Sequence, residues 1–308
     1  MEQAFNISKQ ENIELPEELD TEKIKHLFVE LPSDKVELLA NHLMRPDGFA
    51  KTLITGSIRC SEELQDRIAF DFAKPHRSYY QGNFKRFYDT NDYVSFGVGK
   101  AQQLYHRGNS EKSAEKEKEN GIGFTMPAKK LLSQNSVAPS WLCIGLPSLV
   151  EKHSERVVSD PRMEKYLSLS WNELSDIDMR PKKENFLELV DIARKADLLD
   201  GRDQAEINMY KQTGEYPHLA LDETIILIPK IQRKTIEIYL KKKIKELQKN
   251  VEEIKQLFGV DVSTISVDSV LSRKNIYWYP QENIEIAVEY LTTHPEKIYE
   301  FLPQEKHI

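Results

Sequence analysis

Apolar positions recur at spacings of three and four along 231–258, at Ile236, Leu240, Ile244, Leu247, Val251, Ile254 and Phe258, with Lys and Glu filling the gaps. That period lays one apolar stripe along a helix and leaves a charged outer face. Gly259 follows where helices commonly stop. The same period marks 21–30 through Ile24, Leu27 and Phe28. It recurs behind Ser33, a good N-cap, through Val36, Leu39, Ala40 and Leu43. Arg45-Pro46-Asp47-Gly48 then reads as a turn, and 51–58 fits a helix or a strand equally. Ser61 caps a third helix with Leu64, Ile68 and Phe72 inward, ended by Pro75.

Further along, 182–199 predicts a helix lined by Phe186, Leu189, Val190 and Ala193, with Gly201 beyond its end. A shorter helix over 202–213 places Ile207 and Tyr210 inward. The alternation of apolar and hydroxyl residues over 166–171 fits a strand with one buried face. The β-branched run 224–228 is a second strand, closed by Pro229. Residues 235–239 are either its hairpin partner or the start of the long helix. Ile286, Ala287, Tyr290 and Leu291 mark another helix stopped by Pro295, and a last short one covers 296–302.

These elements predict an α+β fold, mainly helical. A helical N-terminal module (1–110) precedes a charged linker or exposed insertion (111–120). An α+β portion (121–308) follows, braced by the long amphipathic helix near 231–258. The run 111–120, EKSAEKEKEN, is almost wholly charged and has no face to bury. With 308 residues, 39% hydrophobic and 30% charged, the chain can bury a real core beneath a strongly charged surface. Its 12 glycines are few for a turn-rich β architecture.

A net charge of -7 weighs against a nucleic-acid partner for the whole molecule, although aromatic and basic residues interleave over 74–96. Cys60 and Cys143 are the two cysteines, too few for a disulfide framework, which fits a reducing cytoplasm. No apolar run is long enough to span a bilayer, and neither cysteine has a zinc-spaced partner. Gly97-Val98-Gly99-Lys100 lacks the length and the following Ser or Thr of a phosphate loop and reads as a turn. Lys241, Lys242, Lys243 and Lys245 form either a lipid-facing patch or the wet side of the long helix.

One ordered set of residues carries candidate chemistry: Tyr105-His106-Arg107-Gly108, then Leu167-Ser168-Leu169-Ser170, then Glu223 at the start of a strand. The set resembles the three motifs of arginine-serine-glutamate ADP-ribosyltransferases. The resemblance implies NAD as substrate rather than as a bound cofactor. Arg107 would then hold a phosphate through its planar guanidinium, and Ser168 and Ser170 would support the first strand and the nicotinamide ribose. Glu223 would stabilise the oxocarbenium-like charge as nicotinamide departs. Where the family carries Glu or Gln two residues before the catalytic Glu, this chain has Leu221. Gln204-Ala205-Glu206 has that spacing, but within the segment read as a helix. The abundant charged helices make the leading expectation a binding protein whose partner is another protein. The transferase is the alternative.

Overall fold

The computed structural model describes residues 36–44, 46–60, 93–99, 122–141, 161–163, 182–195, 205–210, 215–280 and 284–302. Its centre is a seven-stranded sheet built from β1 (Leu39–Leu43), β3 (Tyr93–Val98), β4 (Gly123–Pro127), β5 (Val137–Trp141), β6 (Ala205–Tyr210), β8 (Ile225–Pro229) and β9 (Ile276–Tyr279). The strand order is β5-β6-β3-β1-β4-β8-β9. Every neighbouring pair is antiparallel except β8 and β9, which run parallel. Two short strands, β2 (Ser57–Arg59) and β7 (His218–Ala220), pair separately. The helices are α1 (Pro46–Thr55), α2 (Ala128–Leu132), α3 (Lys183–Lys195), α4 (Arg233–Leu247), α5 (Val251–Phe258), α6 (Val267–Leu271), α7 (Ile284–Thr293) and α8 (Pro295–Phe301). The fold is α+β.

Residues directly opposite in a ladder share a face, so the register sorts every side chain. One face carries Ala40, Phe96, Val98, Phe124, Met126, Ile207, Met209, Ile226 and Ile228. All of these are buried in one core with Phe49 and Leu53 of α1, Phe186 and Val190 of α3, and Ile236 and Leu240 of α4. The other face divides. Leu39, Ile225, Leu227 and Tyr279 meet Ala287, Val288 and Leu291 of α7 and Ile298 of α8 in a second core. Over β1, β3, β4 and β6 the same face carries Asn41, Ser95, Thr125, Glu206 and Asn208 instead.

The connection between β8 and β9 explains the long amphipathic pattern. Parallel neighbours need a crossover of a dozen residues or more, and α4 to α6 supply it. Its stripe is buried as expected at Ile236, Leu240, Ile244, Leu247 and Ile254. The stripe belongs to two helices, however. The chain leaves helical geometry at Asn250 (φ -139°, ψ 44°), after a single turn at Gln248–Asn250. The Gln248 amide donates to the Val262 carbonyl at 3.1 Å, tying the break to the following loop. Gly259 ends α5 in the left-handed region, φ 69°. Residues 235–239 belong to α4 and are no hairpin partner of β8.

Three further expectations are corrected. Val36, Leu39, Ala40 and Leu43 have helical spacing, yet Leu39–Leu43 is strand β1, with α7 beneath Leu39 and the main core beneath Ala40. A strand with both faces covered loses the clean alternation that marks a half-buried one. Residues 46–48 of the expected turn begin α1: Pro46 takes the first helical position, where its missing N–H goes unmissed. The helix expected over 202–213 is strand β6, whose Ala205, Ile207 and Met209 alternate with Glu206, Asn208 and Tyr210. Gly97 and Val98, read as a turn, lie in β3. The helices at 182–199 and near the C-terminus are present as α3, α7 and α8, with Pro295 beginning α8 rather than only stopping α7. The run 111–120, the strand at 166–171 and the helices at 21–30 and after Ser61 lie outside the described residues.

Candidate functional site

Of the residues carrying the transferase resemblance, Arg107, Ser168 and Ser170 lie outside the described residues, and Glu223 lies within them. Glu223 is half-exposed at the end of the turn Leu221–Glu223, immediately before Thr224 and β8. The turn is firmly held. The Asn275 amide donates to the Leu221 carbonyl at 2.6 Å and the Thr224 carbonyl at 2.7 Å, and the Thr224 hydroxyl donates to Leu221 O at 3.0 Å. Leu221, two residues earlier, is buried, so no polar side chain stands at that position.

A group that the sequence reading passed over is the polar half of the second sheet face. Glu206 is 6% exposed and accepts the Ser95 hydroxyl at 2.7 Å. Burial pushes its carboxyl up to about 7, with the Ser95 hydrogen bond pulling the other way. Asn208 stands directly across from Ser95, and Gly97 directly across from both Glu206 and Asn41. Thr125 faces Asn41 from the neighbouring strand. Asn41 donates from its amide nitrogen to the carbonyls of Leu39 (3.3 Å) and Gly97 (3.4 Å). Two carbonyl acceptors fix the orientation of that amide, leaving Oδ1 as its unsatisfied atom. Asn41 Oδ1, Thr125 Oγ1 and Asn208 Oδ1 are buried with no hydrogen-bond partner. On the opposite face, His42 Nδ1 donates to the Ser95 carbonyl at 2.8 Å, and burial holds the imidazole below its ordinary value. The signal for this group was present in the period-2 alternation of 205–210, which carries a carboxylate on a strand buried on both faces.

A third feature is the outer face of α4 together with the short turns that flank it, Lys230–Gln232 and Gln248–Asn250. Ile231, Lys234, Ile238, Lys241, Lys242, Lys245 and Lys249 are all exposed and follow one another at helical spacing, opposite the buried stripe. Ile231 and Ile238 are 67% and 66% exposed, high for large apolar side chains. Lys243 departs from the expected lysine patch. It is buried and bonds Asp47 of α1 at 2.7 Å and Glu246 at 2.7 Å. Glu237 and Glu246, the glutamates of α4, are engaged by Arg233 and Lys243.

Among the described residues no cluster of His, Cys, Asp or Glu has the make-up of a metal site. Among them, too, no helix is long and apolar enough to cross a membrane. No protein-family model matches the chain, and no curated protein or solved structure matches it either.

Proposed function

We propose that the protein acts by binding another protein through the outer face of α4, and that the partner presents an acidic segment. The observation that carries this reading is the pair Ile231 and Ile238, exposed within a lysine stripe on a chain whose net charge is -7. An apolar pair ringed by like charge has the make-up of an interface centre with a steering rim. The two glutamates of the helix are held by Arg233 and Lys243, so the stripe itself is basic. Covering both isoleucines, each about two-thirds exposed, would contribute roughly 1–2 kcal/mol apiece. The setting we infer is a reducing cytoplasm, in keeping with two cysteines, too few for a disulfide framework. The run 111–120 reads as an insertion between β3 and β4, since strands from either side of it share one sheet.

The test compares immobilised wild type with Ile238→Asp. Support is a retained acidic protein that, once purified, binds wild type at least tenfold more tightly than the variant and weakens as salt rises. Equal retention by both proteins removes the reading. So does binding confined to anionic vesicles, which assigns the face to a lipid surface instead.

Glu223 carries a second reading, the NAD-dependent ADP-ribosyltransferase. Its place directly before a strand, half-exposed on a rigid turn, is where the resemblance puts the catalytic carboxylate. Nicotinamide release from NAD by wild type, lost in Glu223→Gln, supports it. Equal release by the two proteins, or none from folded wild type, removes it.

A further inference from the structure

The polar half of the second sheet face is hard to explain as packing. Asn41, Thr125 and Asn208 are 4%, 1% and 2% exposed, come from three different strands, and each leaves a side-chain oxygen without a partner. Buried polar atoms are ordinarily satisfied, and three orphans on one face of one sheet point to a group that satisfies them from outside the described chain. Between Asn41 and Glu206 the floor is Gly97, directly across from both. A Cβ added there would meet the Asn41 carbonyl oxygen at 4.0 Å, an ordinary van der Waals contact, so the backbone at Gly97 accepts a side chain without a clash. Asn41 and Glu206 stand two strand spacings apart, about 10 Å between their backbones.

We propose that this patch is a binding site for a small organic cation, a primary ammonium or guanidinium group, seated over Gly97 between Asn41 and Thr125 on one side and Glu206 and Asn208 on the other. The chemistry of the atoms selects the class. The Asn41 amide spends its donors on two backbone carbonyls, so it offers the site only an acceptor. Asn208 donates to the Tyr210 hydroxyl at 3.2 Å and likewise presents its oxygen. Glu206 takes the Ser95 hydroxyl and is itself an acceptor once ionised. A ring of acceptors is completed by a ligand that brings donors and positive charge. The same cationic group can come from a free amine or from the side chain of a substrate peptide.

The test is calorimetric titration of the full chain with ethylammonium, agmatine and arginine as free cations, and with N-acetyl-lysine amide as the peptide-borne one. Acetate and glycerol serve as controls. Saturable binding by at least one cation and by neither control is the expected result, and comparison of the free and peptide-borne probes assigns the source. Glu206→Gln is expected to weaken that binding at least tenfold. Gly97→Val places a side chain on the floor where the backbone tolerates one and is expected to abolish binding while thermal unfolding stays within a few degrees of wild type. The proposal is overturned if no cation binds folded wild type below 10⁻² M in dissociation constant, roughly the weakest specific binding worth the name. It is equally overturned if binding survives unchanged in both variants.

Discussion

Replacing Glu206 by Gln should make the protein less sensitive to alkaline pH, with an effect that can be sized from the structure. The carboxyl titrates near 7 in the fold, against an ordinary value of 4.5, because burial disfavours the charged form more than the Ser95 hydroxyl favours it. A folded-state value above the unfolded one means that the native protein holds its proton more tightly. Stability is therefore unaffected by this group below about pH 4.5, falls as pH rises through the interval up to 7, and stays reduced above it. With those two values, the linkage relation makes the Glu206 contribution about 2–3 kcal/mol more unfavourable at pH 8 than at pH 5.

The variant keeps an oxygen for the Ser95 hydroxyl and carries no charge, so it lacks this slope. The assay is urea unfolding of both proteins at several values between pH 5 and 8, comparing the difference between them rather than either curve alone. His42, on the other face, contacts the Ser95 carbonyl and is held below its ordinary value by burial, but it is common to both proteins and cancels. The expected outcome is near equality at pH 5 and a variant more stable by roughly 2–3 kcal/mol at pH 8. A difference that does not change with pH would refute the reasoning, since it would show that Glu206 titrates alike in both states.

Two substitutions test the frame around this patch. Gly123→Ala sets a Cβ 2.7 Å from the His42 carbonyl oxygen and 3.1 Å from the Leu43 Cα. Because backbone must move, the expected loss is about 2 kcal/mol or more by urea midpoint, and an unchanged midpoint would place β1 and β4 farther apart. Asp191→Ala removes the carboxylate shared by Arg162 (2.7 Å), Arg194 (3.3 Å) and Lys195 (3.3 Å), leaving the largely buried Arg194 with Glu289 of α7 at 2.9 Å. Unfolding should show a loss of about 3 kcal/mol, and a loss below about 1 would mean that solvent replaces the carboxylate freely.

What the sequence made legible follows from how each element is buried. α3 and α4 each bury one side, so their stripes survive as a period near 3.6 and could be read directly. β8, buried throughout as Ile225–Pro229, announced itself by β-branching and a closing proline. β1 is buried on both faces and loses its period, while β6, also buried on both faces, keeps a period of two that a helical spacing masked. Leu39, Ala40 and Leu43 matched helical spacing by coincidence, and Ile207 with Tyr210 did the same. The polar patch was hidden for a related reason. Glu206 and Asn208 look solvent-facing in a sequence, and only the register of β6 against β3 places them beside Ser95 and Gly97. Glu223 lies in the turn Leu221–Glu223, with Thr224 between it and β8, and a turn before a β-branched run is a local feature that a sequence carries.

Thr125 separates a patch kept for binding from one kept for folding. Its hydroxyl is buried without a partner at 1% exposure, while its β-branched shape fits the centre of β4 between Asn41 of β1 and Ile225 of β8. Thr125→Val preserves that shape and removes only the orphaned oxygen. If the hydroxyl serves the fold, its loss should destabilise the protein. If it serves a bound group, the empty protein should gain about 1 kcal/mol, the desolvation penalty of an unsatisfied hydroxyl no longer being incurred. The second outcome is expected, read as a higher urea midpoint with an unchanged slope. A lower midpoint would show that Thr125 has a structural partner and would take one of the three orphaned atoms out of the argument for a ligand. Natural chains keep such penalties where activity requires them, so a stabilising loss of a buried hydroxyl marks the place where this fold gives up stability for its chemistry.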